Sequence, residues 1–203
     1  MELIGTTALV VIDIQKGETM GQEACGIPIM DGGEERQARS LEIVKAAREA
    51  GIPPIFIQEV HKRTLIDFGR ELDGSETIHG LEGDEATELA EGFEPLPDEY
   101  LIRKRRYSAF FATELELVLK AYKADTLVLI GALTDVCVHY TFADAHQHDY
   151  HLRVVTDCVG GSSFEAHQAS LNAMEYLQRD ALVTSDETLA AFAAYSGKQV
   201  ATA

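Results

Sequence analysis

A carboxylate, an ammonium and a thiol stand in this 203-residue sequence where short apolar runs give out. Asp13 closes Thr7-Ala8-Leu9-Val10-Val11-Ile12. Lys104 follows Tyr100-Leu101-Ile102-Arg103. Cys137 comes shortly after Thr126-Leu127-Val128-Leu129-Ile130-Gly131. A cysteine attacks carbonyl carbon as the thiolate, and a helix N-terminus or a neighbouring cation favours that form. Cys137, behind Thr134-Asp135, opens a helical stretch. Lys104 offers the cation and Asp13 an acceptor for the thiol proton. Together they would supply a nucleophile, its electrostatic partner and a general base. Taken singly each has a plainer use, since a lone helical cysteine usually packs in a core and an aspartate after a strand usually caps a turn.

The elements that would position them are legible as alternating patterns. Thr7–Ile12, Ile55–Val60, Tyr100–Arg103, Thr126–Ile130, Leu152–Val155 and Ala181–Val183 are short, mostly apolar runs. They read as strands, the most apolar of them buried on both faces. Helical spacing marks 34–50, with Leu41, Val44, Ala47 and Ala50 on one face, closed by Gly51 and Pro53-Pro54. Phe111, Leu115, Val118, Leu119 and Tyr122 follow a second helical stripe. Helices are also expected over 135–148, 164–178 and 187–195. The stretch 16–33 is polar and Gly-rich and reads as a loop. The stretch 61–97, rich in Gly, Asp and Glu, reads as an excursion flanking an active site, with a short helix near 85–91. This alternation predicts one α/β domain over 1–203. It is a doubly wound, mostly parallel sheet of about six strands with helices on both faces. Such sheets bind ligands beyond the carboxyl ends of their strands, where Asp13, Lys104 and Cys137 fall.

Composition narrows the function classes. Lys and Arg total 17 against 34 Asp and Glu, a formal charge of −17. Such a surface repels phosphate backbones and anionic lipid, so neither nucleic acid nor a membrane is an expected partner. No apolar run reaches the ~20 residues of a membrane span. Met1-Glu2-Leu3-Ile4-Gly5 lacks a basic leader, so a cytoplasmic protein is expected. Hydrophobic residues make up 46%, enough for a sizeable core, and this excludes disorder of the whole chain. Three cysteines without a CxxC argue against a disulfide framework or a zinc ribbon.

Three segments carry a resemblance that spans nearly the whole chain. Val10-Val11-Ile12-Asp13-Ile14-Gln15 resembles the hydrophobic-D-x-Q opening of the isochorismatase-like cysteine hydrolases. Lys104-Arg105-Arg106-Tyr107-Ser108-Ala109-Phe110 resembles their K-x-R-[YF]-S-[AG]-F segment. Gly131-Ala132-Leu133-Thr134-Asp135-Val136-Cys137-Val138 resembles their G-x-x-T-[DE]-x-C-V segment. The resemblance implies Cys137 as nucleophile, Asp13 as general base and Lys104 as stabiliser of the thiolate. It also implies a cis peptide at Ala132–Leu133 and an oxyanion hole from the backbone N–H groups of Leu133 and Cys137. The implied reaction is hydrolysis of a C–N bond in a small carboxamide, ureide or carbamoyl compound. It runs through a thioester, releases ammonia or an amine, and needs no organic cofactor. True isochorismatases act on a vinyl ether and typically lack this cysteine. Relatives are commonly dimers or tetramers, so a homo-oligomer is expected, with a neighbouring subunit able to complete the pocket.

Other residues are weighed against that frame. Nicotinamidases of the superfamily hold a metal through a D-x-H pair and a later histidine, and Glu59-Val60-His61 with His79 occupy the matching places. These side chains are plausible zinc ligands. Glu in place of Asp displaces the carboxylate by a methylene, so the expected site has no metal, and His61 is placed with the substrate instead. Tyr107, Phe110 and Tyr140 are candidate pocket walls. His146, His148 and His151 read as surface or structural histidines near a helix end. Cys25 and Cys158 read as structural, Ser163 as a helix cap, and Arg105 and Arg106 as partners of the chain's own carboxylates. Two rivals stand beside the cysteine amidohydrolase: a metal-dependent nicotinamidase, and a noncatalytic small-molecule binding protein on the same fold.

Overall fold

The computed structural model describes residues 1–196. Six strands form its sheet: β1 Thr7–Ile12, β2 Pro54–Glu59, β3 Tyr100–Lys104, β4 Thr126–Ala132, β5 His151–Gly160 and β6 Leu182–Val183. All pairings are parallel, in the order β3-β2-β1-β4-β5-β6. The chain therefore winds outward from β1 in one direction and from β4 in the other. The crevice between these two strands is where a doubly wound sheet admits a ligand.

Alternation along β1 builds two cores. Ala8, Val10 and Ile12 point to one face of the sheet, Leu9 and Val11 to the other. The first face is covered by α4 (Leu115–Ala121), α5 (His139–Gln147) and α6 (Phe164–Leu177), through residues such as Leu119, Phe142 and Met174. The second lies under α3 (Gly33–Glu49) and α7 (Ser185–Ala193), through Ile43, Val44, Ala47 and Phe192. Ser163 caps α6 by accepting from the Ala166 N–H at 3.1 Å. Thr184 and Glu187 form a capping box at α7.

Several boundaries differ from the sequence reading. β5 runs five residues past Val155, because its pairing with β4 resumes after a register shift between Leu129 and Gly131. The stripe beginning at Phe111 becomes helix only at Leu115, and Phe111 stays exposed. The 16–33 loop contains two single-turn helices, α1 (Gly17–Met20) and α2 (Gln22–Cys25). The helix expected near 85–91 is a single 3₁₀ turn over Glu85–Thr87.

One contact fixes the centre of the sheet. Gly131 has φ +124°, and a Cβ there would lie 1.8 Å from the Ile12 carbonyl oxygen. Only glycine adopts this backbone conformation against the neighbouring strand without a clash, one residue before Asp13 on β1 and six before Cys137 on β4.

Candidate active site

Four strand ends converge on one cluster. Asp13 follows β1 with φ +50°, a left-handed conformation that aspartate tolerates better than most residues, and its N–H donates to the Ile57 carbonyl at 3.0 Å. Glu59 ends β2 and pairs in register with Lys104 at the end of β3. Cys137 lies beyond β4 in a π-helical turn over Thr134–Val138, which leads into α5. The Ala132–Leu133 peptide is cis. Asp135 does not face the cluster. It ties the turn to the β5–α6 loop, accepting from the Ser162 N–H at 2.8 Å and its hydroxyl at 2.5 Å.

Lys104 is the hub. Its side chain is fully buried, and Nζ lies 2.8 Å from Asp13 Oδ2, 3.3 Å from Cys137 Sγ and in direct contact with Glu59 Oε2. The thiol also faces Glu59 Oε2 at 3.5 Å. A buried ammonium is tolerable only with such partners. Burial works against its charge, but the carboxylates outweigh it and hold Lys104 well above its usual range.

The electrostatics differ from the sequence expectation in one respect. Burial pushes the Cys137 thiol well above its ordinary value, and the pull of Lys104 is offset by Asp13 and Glu59. The resting nucleophile is therefore a thiol. The two carboxylates also differ. Burial raises Asp13 to about 6 against the opposing pull of Lys104. Burial would raise Glu59 too, but Lys104, His61 and His79 prevail and hold it well below the usual carboxylate range. Asp13 is thus the better proton acceptor of the pair.

Glu59 joins this cluster to a second one. While Oε2 faces Lys104, Oε1 lies 3.3 Å from His61 Nε2 and 3.1 Å from His79 Nε2. The extra methylene that seemed to displace the carboxylate lets it reach both groups. Glu71 completes the set, with Oε2 3.1 Å from His61 Nε2 and neither oxygen well aligned with a donor. His79 Nδ1 lies 2.6 Å from the Thr77 carbonyl, which leaves Nε2 as the ligating nitrogen. The four residues are buried, with their donor atoms within 4.8 Å of one another. Burial opposes charge on His61 and His79, but Glu59 and Glu71 raise His61 to about 9 and Glu59 raises His79, so without a metal both imidazoles favour the protonated form. A divalent cation of the zinc class fits this set of two imidazoles and two carboxylates, and would take the place of those protons.

A pocket opens beside the thiol, lined by Asp13, Glu59, His79, Tyr107, Leu133 and Cys137 among others. His61 and Phe110 do not reach it. His61 is wholly buried and stacks on Phe68 at 4.0 Å between ring centroids. Phe110 packs against His148 at 5.2 Å, on the α5 side of the core. Tyr107 is placed at the pocket with Tyr140 tilted against it at 5.6 Å, and Tyr140 lines the outer cleft. Arg105 and Arg106 pair with Asp67, by its carboxylate and its carbonyl respectively. His146, His148 and His151 join no potential metal cluster among the described residues.

Three contributors were not legible beforehand. Glu71 and Glu76 sit in the irregular 61–97 stretch. Cys25 lines the pocket although it falls in no recognisable pattern. Gln15 could have been found, since it belongs to the first motif. Its amide donates to the carbonyls of Glu59 at 3.1 Å and Thr87 at 2.7 Å, and it accepts from the Glu59 N–H at 3.2 Å. It thereby holds β2 and the excursion in place around the site.

A six-stranded, all-parallel, doubly wound sheet with a thiol, a lysine and a carboxylate at its central crevice defines a three-layer α/β scaffold with a potential nucleophile at its switch point. The chain belongs to the isochorismatase family, whose domain model matches residues 7–188. It is 32% identical over 171 residues to a probable inactive nicotinamidase of Arabidopsis thaliana, covering 81% of this chain and 86% of that protein. It is 28% identical over 190 residues to the ureidoacrylate amidohydrolase RutB of Methylobacterium radiotolerans, covering 84% and 73%. Among solved structures, an isochorismatase-like hydrolase from Alkaliphilus metalliredigens superimposes with a TM-score of 0.79 at 29% identity, covering 93% of this chain and all of that one. No helix among the described residues is long and apolar enough to cross a membrane.

Proposed function

We propose that this protein is a cysteine amidohydrolase that cleaves the C–N bond of a small carboxamide, ureide or carbamoyl compound. The observation that carries the reading is Lys104 Nζ, placed 3.3 Å from Cys137 Sγ and 2.8 Å from Asp13 at the mouth of the sheet's central crevice. RutB, a ureide hydrolase by name, supports amide chemistry on this scaffold.

The reaction has two halves. Asp13 takes the thiol proton as Cys137 sulfur bonds to the substrate carbonyl carbon. Lys104 offsets the charge that develops on sulfur, and the N–H groups of Leu133 and Cys137 hold the oxyanion. Protonated Asp13 delivers its proton to the departing nitrogen, the C–N bond breaks, and a thioester remains. Water then attacks the thioester with Asp13 again as base, which frees the acid and restores the thiol.

A second reading keeps this nucleophile and adds a divalent cation held by Glu59, His61, Glu71 and His79, favoured by the convergence of those donors. When bound, the ion would supply positive charge beside Glu59. One experiment covers both readings and the noncatalytic alternative suggested by the probable inactive Arabidopsis relative: ammonia release from a panel of amides and ureides by metal-stripped protein. Activity without metal that falls by about 10⁴-fold or more in Cys137→Ala is the expected result. Activity restored only by added zinc selects the second reading. No release and no alkylation of Cys137 overturns the enzymatic reading.

A further inference from the structure

The pocket beside Cys137 has an unusual balance of charge. Asp13, Glu18, Glu59 and Glu76 line it, and no Lys or Arg does. The cations nearby are all engaged. Lys104 is enclosed by Asp13, Glu59 and the thiol. Arg36 spends its guanidinium on Glu18 and on the carbonyls of Asp31 and Met30, and its side chain is 6% exposed. His79, the histidine on this wall among the described residues, has Nδ1 on the Thr77 carbonyl and Nε2 on Glu59 at 3.1 Å, with Glu76 more distant at 3.7 Å. Arg70 lies in the outer cleft and not on the inner wall, paired with Asp73 at 2.7 Å with its side chain 92% exposed to solvent. The remaining wall is largely apolar, with Cys25, Ile27, Ile29, Ala86 and Val136 facing inward.

Glu76 holds a particular place. It lines both the inner pocket and the outer cleft, as do Tyr107 and Val136, so these three form the collar between the two spaces. A molecule bound with its carbonyl at Cys137 extends its far end toward that collar. A carboxylate there would find no Lys or Arg on the inner wall to receive it, and would face Glu76, whose side chain is 17% exposed.

We propose that the substrate is an amide or ureide bearing no carboxylate, and that Glu76 is a specificity-determining residue that turns anionic amides away. The inference rests on the amidohydrolase reading and narrows the classes left open there. Its chemistry is a compact, apolar-bodied, uncharged carbonyl compound, whose amide end is met by Asp13 and Cys137 and whose far end meets the side chains of the collar.

The test compares butyramide with succinamate, in which a carboxylate replaces the terminal methyl. The expected result is a kcat/KM at least about tenfold higher for butyramide, with the gap narrowed in Glu76→Gln. A second measurement reads the same selection without turnover. Iodoacetamide and iodoacetate alkylate cysteine by the same displacement and differ by the charge. Their rate ratio at Cys137, located by peptide mass, is compared with the ratio on glutathione. Wild type should favour iodoacetamide about tenfold beyond glutathione, and Glu76→Gln should fall back toward it. Succinamate used as well as butyramide, or an alkylation ratio equal to glutathione's, overturns the proposal, as does a preference that Glu76→Gln leaves unmoved. Ammonia from neither amide, with the alkylation preference intact, instead counts against the amidohydrolase reading and leaves the charge selection standing.

Discussion

At the scale of single residues, the two carboxylates on Lys104 have separate duties because their surroundings differ. Glu59 is surrounded by cationic and hydrogen-bonding partners and remains ionised. Asp13, with fewer, is raised to about 6. The direction of the pH effect follows. Below about 6 Asp13 carries a proton and cannot accept another, so kcat/KM should fall as pH drops through that value and level off above it. In Glu59→Gln one negative neighbour that raises Asp13 is gone, and the acid limb should move to lower pH. A limb that stays near 4 in the wild type would remove Asp13 from the base role. The three motif residues were readable from sequence because each follows an apolar run whose end is unambiguous. The upward shift of the Cys137 thiol was not readable, since it depends on how deeply the sulfur is buried and on carboxylates brought to it by other strands. His61 was placed with the substrate for its proximity in sequence to β2, whereas its ring is drawn into the interior by Phe68 and the two glutamates.

At the scale of elements, the site depends on the turn of the β4 backbone at Gly131, where φ +124° would aim any side chain at the Ile12 carbonyl of β1. Gly131→Ala would place a methyl group against the Ile12 carbonyl in a conformation that L side chains avoid. We expect a loss of about 4 kcal/mol, read as a lower urea midpoint at unchanged slope, together with loss of activity. Wild-type stability in that variant would mean that the strands separate at little cost. The parallel, doubly wound sheet with helices on both faces was legible in the alternation of β and α segments, whereas the order of its strands is set by tertiary pairing and was not. The excursion over 61–97 resisted reading for the opposite reason. Its contacts, such as Gln15 with Thr87 and Glu71 with His61, are made by irregular backbone with no period to detect.

At the scale of the whole molecule, the charge of −17 sits mainly on the surface, where pairs such as Lys16–Glu88 and Lys62–Glu82 offset only part of it. Self-repulsion of this kind is screened by salt, whereas the buried set around Lys104 is screened much less. Raising NaCl from about 10 to 150 mM should therefore raise Tm by about 2–4 °C, equivalent to about 1 kcal/mol for a chain of this size. A fall in Tm would mean that exposed ion pairs outweigh the repulsion.

The resting protonation of Cys137 has a consequence beyond the reaction itself. Oxidants, like electrophiles, attack the thiolate, and sulfenic acid forms most readily on exposed sulfurs of low pKa. Here burial, with Asp13 and Glu59 facing the sulfur, shifts it toward the protonated form, and Lys104 pulls the other way. Peroxide and alkylating agents should therefore both react with Cys137 more slowly than with glutathione without being excluded, so the same carboxylates that delay ionisation limit how fast the nucleophile is spent on the wrong chemistry.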